Sequence, residues 1–221
     1  MSKIRFRYSK TGRAKYISHL DLSATIQRAF IRAGINLKYS EGFNPHPYMS
    51  AALPLSVGVE SVCELMDIGI SDVSNIHEFP ALISGHLPEG LDILEAYVPE
   101  RKFSDLKWVE IAGRMYYDKG VPACAEERLK ERYGMDGIEV SKKTKRGILT
   151  INIAEFIHDV EVDTFDTDGQ LTIKAKISAQ NPTLNPDNVI SALSGEFEDL
   201  RPDFSVFRRL EVFGLNMEVF R

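Results

Sequence analysis

The stretch IRFRYSKTGRAKYISHLDLSATIQRAFIRAG, residues 4–34, decides the fold class. Its period changes within a few residues. Ile4, Phe6 and Tyr8 alternate with Arg5 and Arg7, the period of two that a strand requires, which predicts a half-exposed strand with a basic outer face. From Ser18 onward the period becomes helical. Leu22, Ile26, Ala29, Phe30 and Ala33 fall on one stripe, Ser18 stands three residues before Asp21 in a near match to a capping box, and Gly34 supplies the stop.

Working outward, INLKYS (35–40) reads as a short second strand, and further strands are expected in SAALPLSVGVES (50–61) and VCELMDIGI (62–70). NIHEFPALISGHLPEG (75–90) reads as a second helix, with Pro80 near enough to its start to be tolerated, and LDILEAYVP (91–99) as a closing strand. PERKFSDL (99–106) marks a boundary, after which the order recurs. KWVEIAGRMYY is a strand, PACAEERLKERYG a helix, and IEVSKKTKRGILTINIAEFIHDVEVD a pair of strands turning near Arg146–Gly147. QLTIKAKISA, NPDNVISALSG and FSVFRRLEVFG then read as strand, helix and strand. The expectation is an α+β protein of two ferredoxin-like (βαββαβ) halves with antiparallel sheets, residues 1–98 carrying the site and residues 99–221 forming the second domain.

Composition narrows the function classes. The chain has 221 residues, 43% apolar and 27% charged, which is globular material. No segment approaches the roughly 18 uninterrupted apolar residues of a membrane span, and the charged start MSKIRFRYSK lacks the apolar core of a secretory signal. A cytoplasmic protein without a membrane partner is expected. The only cysteines, Cys63 and Cys124, give neither a disulfide framework nor a zinc-ligand pair, and an iron–sulfur cluster needs more thiolates than this chain has. The net charge of −5 hides a segregation: residues 1–50 carry nine Lys/Arg against two acids, and residues 51–100 carry nine acids and no Lys or Arg. The two blocks either neutralise each other on folding or leave a local basic field able to bind phosphate.

The candidate site gathers around YSEGFNPHPYMS (39–50). Asn44–Pro45 and His46–Pro47 fix two backbone angles and bias the preceding residues to extended shapes, so Phe43, His46 and Tyr48 have little freedom left to lose on binding. Asp21, Thr25, Arg28 and Arg32 share the exposed face of the first helix, where the two arginines repel unless an acid, such as Glu60 or Glu64, or a phosphate lies between them. Arg13, Lys15 and His19 converge on the helix N-terminus, an anion site in outline. Tyr16, Tyr39, Phe43 and Tyr48 interleave with Lys15, Arg28, Arg32 and Lys38, the mixture of stacking faces and cations used on single-stranded nucleic acid. Asn44 and the two histidines add hydrogen-bonding groups. His19 and His46 with Asp21 are the weak candidates for acid–base chemistry, and no metal site is expected because neither histidine has metal-ligand spacing. Lys142, Lys143, Lys145 and Arg146 form a basic hairpin tip, a second phosphate contact or simply a solvated turn.

YISHLD (16–21), Arg28, Arg32, YSEGFNPHP (39–47), LPLSVGVES (53–61) and ELMDI (64–68) together resemble the radical SAM-linked protein family, a domain of unknown function encoded beside or fused to radical S-adenosylmethionine proteins. The resemblance implies a radical SAM partner that carries the iron–sulfur cluster and S-adenosylmethionine, with no cofactor on this chain, and a place in RNA or ribosome metabolism. Tyr48 stands where that family commonly has a basic residue. The tandem ferredoxin-like plan is also similar to RNA-processing endonucleases of CRISPR systems and to pseudouridine synthases. The function expected is an accessory RNA- or substrate-binding protein, with Lys15, Tyr16, His19, Arg28, Arg32, Phe43, Asn44, His46 and Tyr48 as its contacts. Two alternatives stand beside it: a metal-independent RNA-cleaving or RNA-modifying enzyme using His19 and His46, and a protein–protein adaptor for the radical SAM partner.

Overall fold

The computed structural model describes residues 3–144, 147–165 and 169–221. The chain forms two compact units, one running to Asp105 and taking in Arg221, the other spanning Leu106–Phe220.

The first unit contains β1 (Lys3–Lys10), α1 (His19–Arg32), β2 (Met49–Ala51), β3 (Glu60–Gly69), α2 (Phe79–Ser84) and β4 (Leu91–Tyr97). Its strands lie in the order β4-β1-β3-β2, each antiparallel to its neighbour. The apolar stripe of α1 is buried at Leu22, Ile26, Ala29 and Phe30, packed with Ile4, Phe6, Met66 and Ile68 of the sheet. Phe6 meets Phe30 edge-on at 4.9 Å, a geometry worth about 1 kcal/mol beyond its buried area. Both ends of α1 follow the expected chemistry. Ser18 Oγ accepts from the Asp21 amide at 3.2 Å, and Gly34, at φ +74°, lets the Gly34 and Ile35 amides turn back to the carbonyls of Ile31 and Phe30.

The second unit contains β5 (Leu106–Tyr116), α3 (Ala125–Tyr133), β6 (Glu139–Thr144), β7 (Gly147–Asn152), β8 (Ile157–Phe165), β9 (Gln170–Ser178), α4 (Pro186–Ser191) and β10 (Phe204–Gly214). Here the order is β10-β5-β9-β8, again antiparallel throughout, and β6 with β7 forms a separate hairpin. Thr144 pairs with Gly147, while Lys145 and Arg146 of the expected turn lie outside the described residues. β8 stands at the end of its sheet, and its register slips between His158 and Glu161, where Asp159 takes φ +51°. The tyrosines Tyr117 and Tyr133 donate their hydroxyls to the carbonyls of Leu200 and Val189, at 2.9 and 2.8 Å, inside this unit.

The α+β class with antiparallel sheets agrees with expectation, and three local readings do not. The arginines of β1 are not an exposed face: Arg5 is fully buried and Arg7 half-buried. β1 lies between β3 and β4, and the Arg5 guanidinium is met by Asp67 through Nε–Oδ1 at 2.7 Å and Nη2–Oδ2 at 3.1 Å, by the Arg101 carbonyl at 2.9 Å, and by the Phe103 ring at 4.2 Å. Alternation reports which side a residue points to, not whether that side is covered. INLKYS makes only isolated bridges, Leu37 to Ile70 and Tyr39 to Pro47. SAALPLSVGVES is strand only at its two ends, because Pro54 lacks a ladder donor and Gly58 adopts φ +90° in the turn closed by Val59 N–H to the Ser56 carbonyl.

Candidate functional site

The loop between α1 and β2 is a small hydrogen-bonded arch. The Ser40 amide donates to the His46 carbonyl at 2.9 Å and the Tyr48 amide to the Lys38 carbonyl at 2.9 Å. Lys38 and Tyr48 are in turn tied to Gly69 at the end of β3, each at 2.8 Å. Ser40 closes the arch from within: its hydroxyl accepts from the His46 amide at 3.1 Å and lies 3.0 Å from His46 Nδ1. The loop's shape is therefore fixed at its base as well as by its prolines. Phe43 at the tip is fully exposed, Tyr39 and Tyr48 keep about two-fifths of their surfaces free, and Asn44 and His46 are exposed. Ser40 is the arch residue that sequence reasoning missed; no spacing rule ties it to His46, and only the folded arch does.

The remaining candidates lie elsewhere in this unit. Lys15 sits 3.6 Å from Glu60, which also accepts from the Gly12 amide at 3.1 Å. Tyr16 is exposed, with the Lys15 ammonium 5.4 Å from its ring centre. His19 is exposed in the first turn of α1. Beside it the Ser18 hydroxyl donates to the Asp21 carboxylate at 2.7 Å, so a negative charge of the chain's own already stands at the helix N-terminus. Glu60 and Gly69 are the two ends of β3, and nine residue steps of strand at about 3.3 Å each separate them by roughly 30 Å. The Lys15–Tyr16–His19 group and the Phe43–His46–Tyr48 arch accordingly occupy opposite ends of the sheet. His19 and His46 do not share a cleft, and the acid–base pairing considered from the sequence has no geometry to act in.

Arg28 and Arg32 fall on a third surface. Arg32 Nη2 donates to the His86 carbonyl at 2.9 Å, just beyond α2, and Arg28 lies one turn earlier, exposed on the same flank. α2 packs against β4, the edge of the sheet opposite the one that carries β2 and the arch. Neither arginine meets Glu60 or Glu64 in a salt bridge; Glu60 belongs to Lys15 instead. Among the described residues no group of three His, Cys, Asp or Glu side chains is placed to hold a metal. Cys63 is buried and Cys124 exposed, and the two form no disulfide. No helix is long and apolar enough to cross a membrane among the described residues.

Solved structures place the fold in context. A chain in the crystal structure of a Cbf5–Nop10–Gar1 complex superimposes with a TM-score of 0.54 at 12% identity, covering 95% of this chain and 48% of that one. This protein therefore spans about half the length of that neighbour, and the likeness is one of fold. A candidate glycine cleavage system transcriptional repressor matches with a TM-score of only 0.25 at 11% identity, over 94% of this chain and 98% of its own, too low to establish a shared fold. No curated protein matches the sequence. The sequence pattern of DUF2344, described as an uncharacterized protein conserved in bacteria, matches residues 3–186; the chain belongs to that family.

Proposed function

We propose that this protein is a non-catalytic accessory protein of the cytoplasm that holds an RNA, or an RNA–protein substrate, for a radical S-adenosylmethionine enzyme in RNA or ribosome metabolism, with the arch of residues 39–50 as its docking element. Each unit is read as a ferredoxin-like half: both follow βαββαβ, the second with β6 and β7 added after its first helix, and both have the strand order fourth, first, third, second. The partner enzyme carries the iron–sulfur cluster and S-adenosylmethionine.

One observation carries the docking role. A fully exposed phenylalanine stands on a loop fixed by backbone hydrogen bonds, two prolines and the Ser40–His46 contacts. An aromatic ring left in water gains about 25 cal/mol per Å² when covered, and a loop already held in shape forfeits little entropy on binding. The arch's only charged tip residue is Glu41, and the cations of α1 face other surfaces. That favours, as a second reading, direct docking onto the protein partner without nucleic acid.

The test is a pull-down from native cells with the wild-type chain and Phe43→Ala, with and without nuclease, followed by RNA sequencing and mass spectrometry. The accessory reading expects a radical SAM enzyme and RNA with the wild type, both reduced about tenfold by the loss of one buried aromatic anchor. Retention of the enzyme after nuclease and high salt supports the adaptor reading. Equal recoveries from wild type and Phe43→Ala overturn the arch as docking element.

A further inference from the structure

We propose that the open face of the second unit's sheet is a binding surface for single-stranded nucleic acid, with bases stacking on Tyr116 and Phe204 and phosphates held by Arg114 and Arg208. The choice of RNA over DNA rests on the reading above; the surface does not depend on the arch.

Directly paired residues in an antiparallel sheet share a face. The register pairs Phe204 with Tyr116, Val206 with Arg114 and Arg208 with Ala112 across β10 and β5, and Tyr116 with Gln170, Arg114 with Thr172 and Ala112 with Lys174 across β5 and β9. All of these side chains project from one side. The other side carries the buried residues Ile111, Met115, Leu171, Ile173 and Ala175. Phe204 is 61% exposed, Arg114 and Arg208 are exposed, and Tyr116 is half-buried.

The arrangement has the chemistry of a strand-binding surface. The Tyr116 and Phe204 rings are 5.8 Å apart and tilted by 36°, two adjoining apolar faces at the open end of neighbouring strands. One register step away, Arg114 and Arg208 are diagonal neighbours, and neither has an acidic partner among the described residues. Diagonal side chains sit roughly 7 Å apart, so the pair repels unless an anion lies between them. Glu110, engaged by Lys174 at 3.1 Å, shares this face with Glu211, Glu161 and Asp163. Ala112 between Arg208 and Lys174 leaves room for a phosphate to approach the sheet. An anion alone would leave the aromatic pair unexplained, and an apolar peptide would leave the arginines unpaired; a chain of alternating phosphates and bases satisfies both. The signal was present in the sequence as Arg114 and Tyr116 at a spacing of two and as Phe204, Val206 and Arg208 at the same spacing, yet period two marks a face without saying that it is open.

The experiment is fluorescence anisotropy of labelled oligo(U) and oligo(dT), each about twelve nucleotides to match the site size of a single domain, with the full chain at several salt concentrations. The proposal expects oligo(U) to bind, and both Tyr116→Ala/Phe204→Ala and Arg114→Glu/Arg208→Glu to weaken it about tenfold or more, the range of one lost stacked base. Arg114→Gln/Arg208→Gln should reduce the slope of log affinity against log salt by about 1.4, two single-strand phosphate contacts. Lys102→Gln, which removes an exposed cation of the first unit, should bind as the wild type does. On the wild-type chain, a 4-thiouridine oligonucleotide should crosslink to peptides containing Tyr116 or Phe204, which keeps the test independent of how any variant folds. Neither oligonucleotide binding at the lowest salt, crosslinks confined to other peptides, or binding removed by Phe43→Ala and untouched by the arginine changes would each overturn the surface. Binding of oligo(dT) alone keeps the surface and removes RNA as its ligand.

Discussion

Arg5 shows how far a single residue can depart from its sequence pattern. Set between Ile4 and Phe6, it reads as the solvent side of a strand, and in the molecule it is fully buried against Asp67 and the Phe103 ring. A guanidinium out of water requires its carboxylate, so Asp67→Asn should destabilise the protein by about 3 kcal/mol in urea unfolding, while Arg5→Met with Asp67→Leu, which removes both charges, should cost less. Asp159 illustrates the opposite, exposed regime. Its hydrogen bond to Lys176 at 2.7 Å holds the carboxyl below the ordinary value of 3.8. A depressed folded-state pKa stabilises the fold above the unfolded value and loses that contribution as pH falls through the folded one. The stability difference between wild type and Asp159→Asn should therefore be present at neutral pH and vanish below pH 3.8, as thermal melts across that range will show.

At the level of elements, α1 was legible because its ends are written in local chemistry. Ser18 caps it and Gly34 releases it. Ser18→Ala should lower stability by about 1 kcal/mol through the lost cap, and Gly34→Ala by a similar amount, about 1 kcal/mol, because a side chain at positive φ is strained, both read from denaturant midpoints. β10 was legible to the residue, FSVFRRLEVFG matching Phe204–Gly214, since its run of aromatic and β-branched residues is bounded by Pro202 and Gly214. The stretch 50–61 was not: apolar composition suggested a strand where Pro54 and Gly58 interrupt the ladder. The candidate residues are scattered for a related reason. Phe43, Asn44, His46 and Tyr48 stand together on the arch, but a helix and a strand each about 20–30 Å long carry Lys15, Tyr16 and His19 to the far end. Sequence proximity conceals such distances.

Across the whole chain, the segregation of charge resolves into partnerships within the first unit. Arg5 meets Asp67, Arg7 meets Glu95 at 3.0 Å, and Lys15 meets Glu60, each joining the basic first fifty residues to the acidic second fifty. Block counts predicted neutralisation as one possibility; antiparallel pairing of β1 with β3 and β4 brings these pairs about, while Arg28 stays exposed on α1. The slipped register of β8 has a consequence for the protein as a population of molecules. A terminal strand offers its free amides and carbonyls to any copy that drifts past, and an uninterrupted row invites growth into filaments. The left-handed turn at Asp159 breaks that row, which makes the strand a poor seed. Deleting Asp159 should restore the row and raise light scattering on gentle heating.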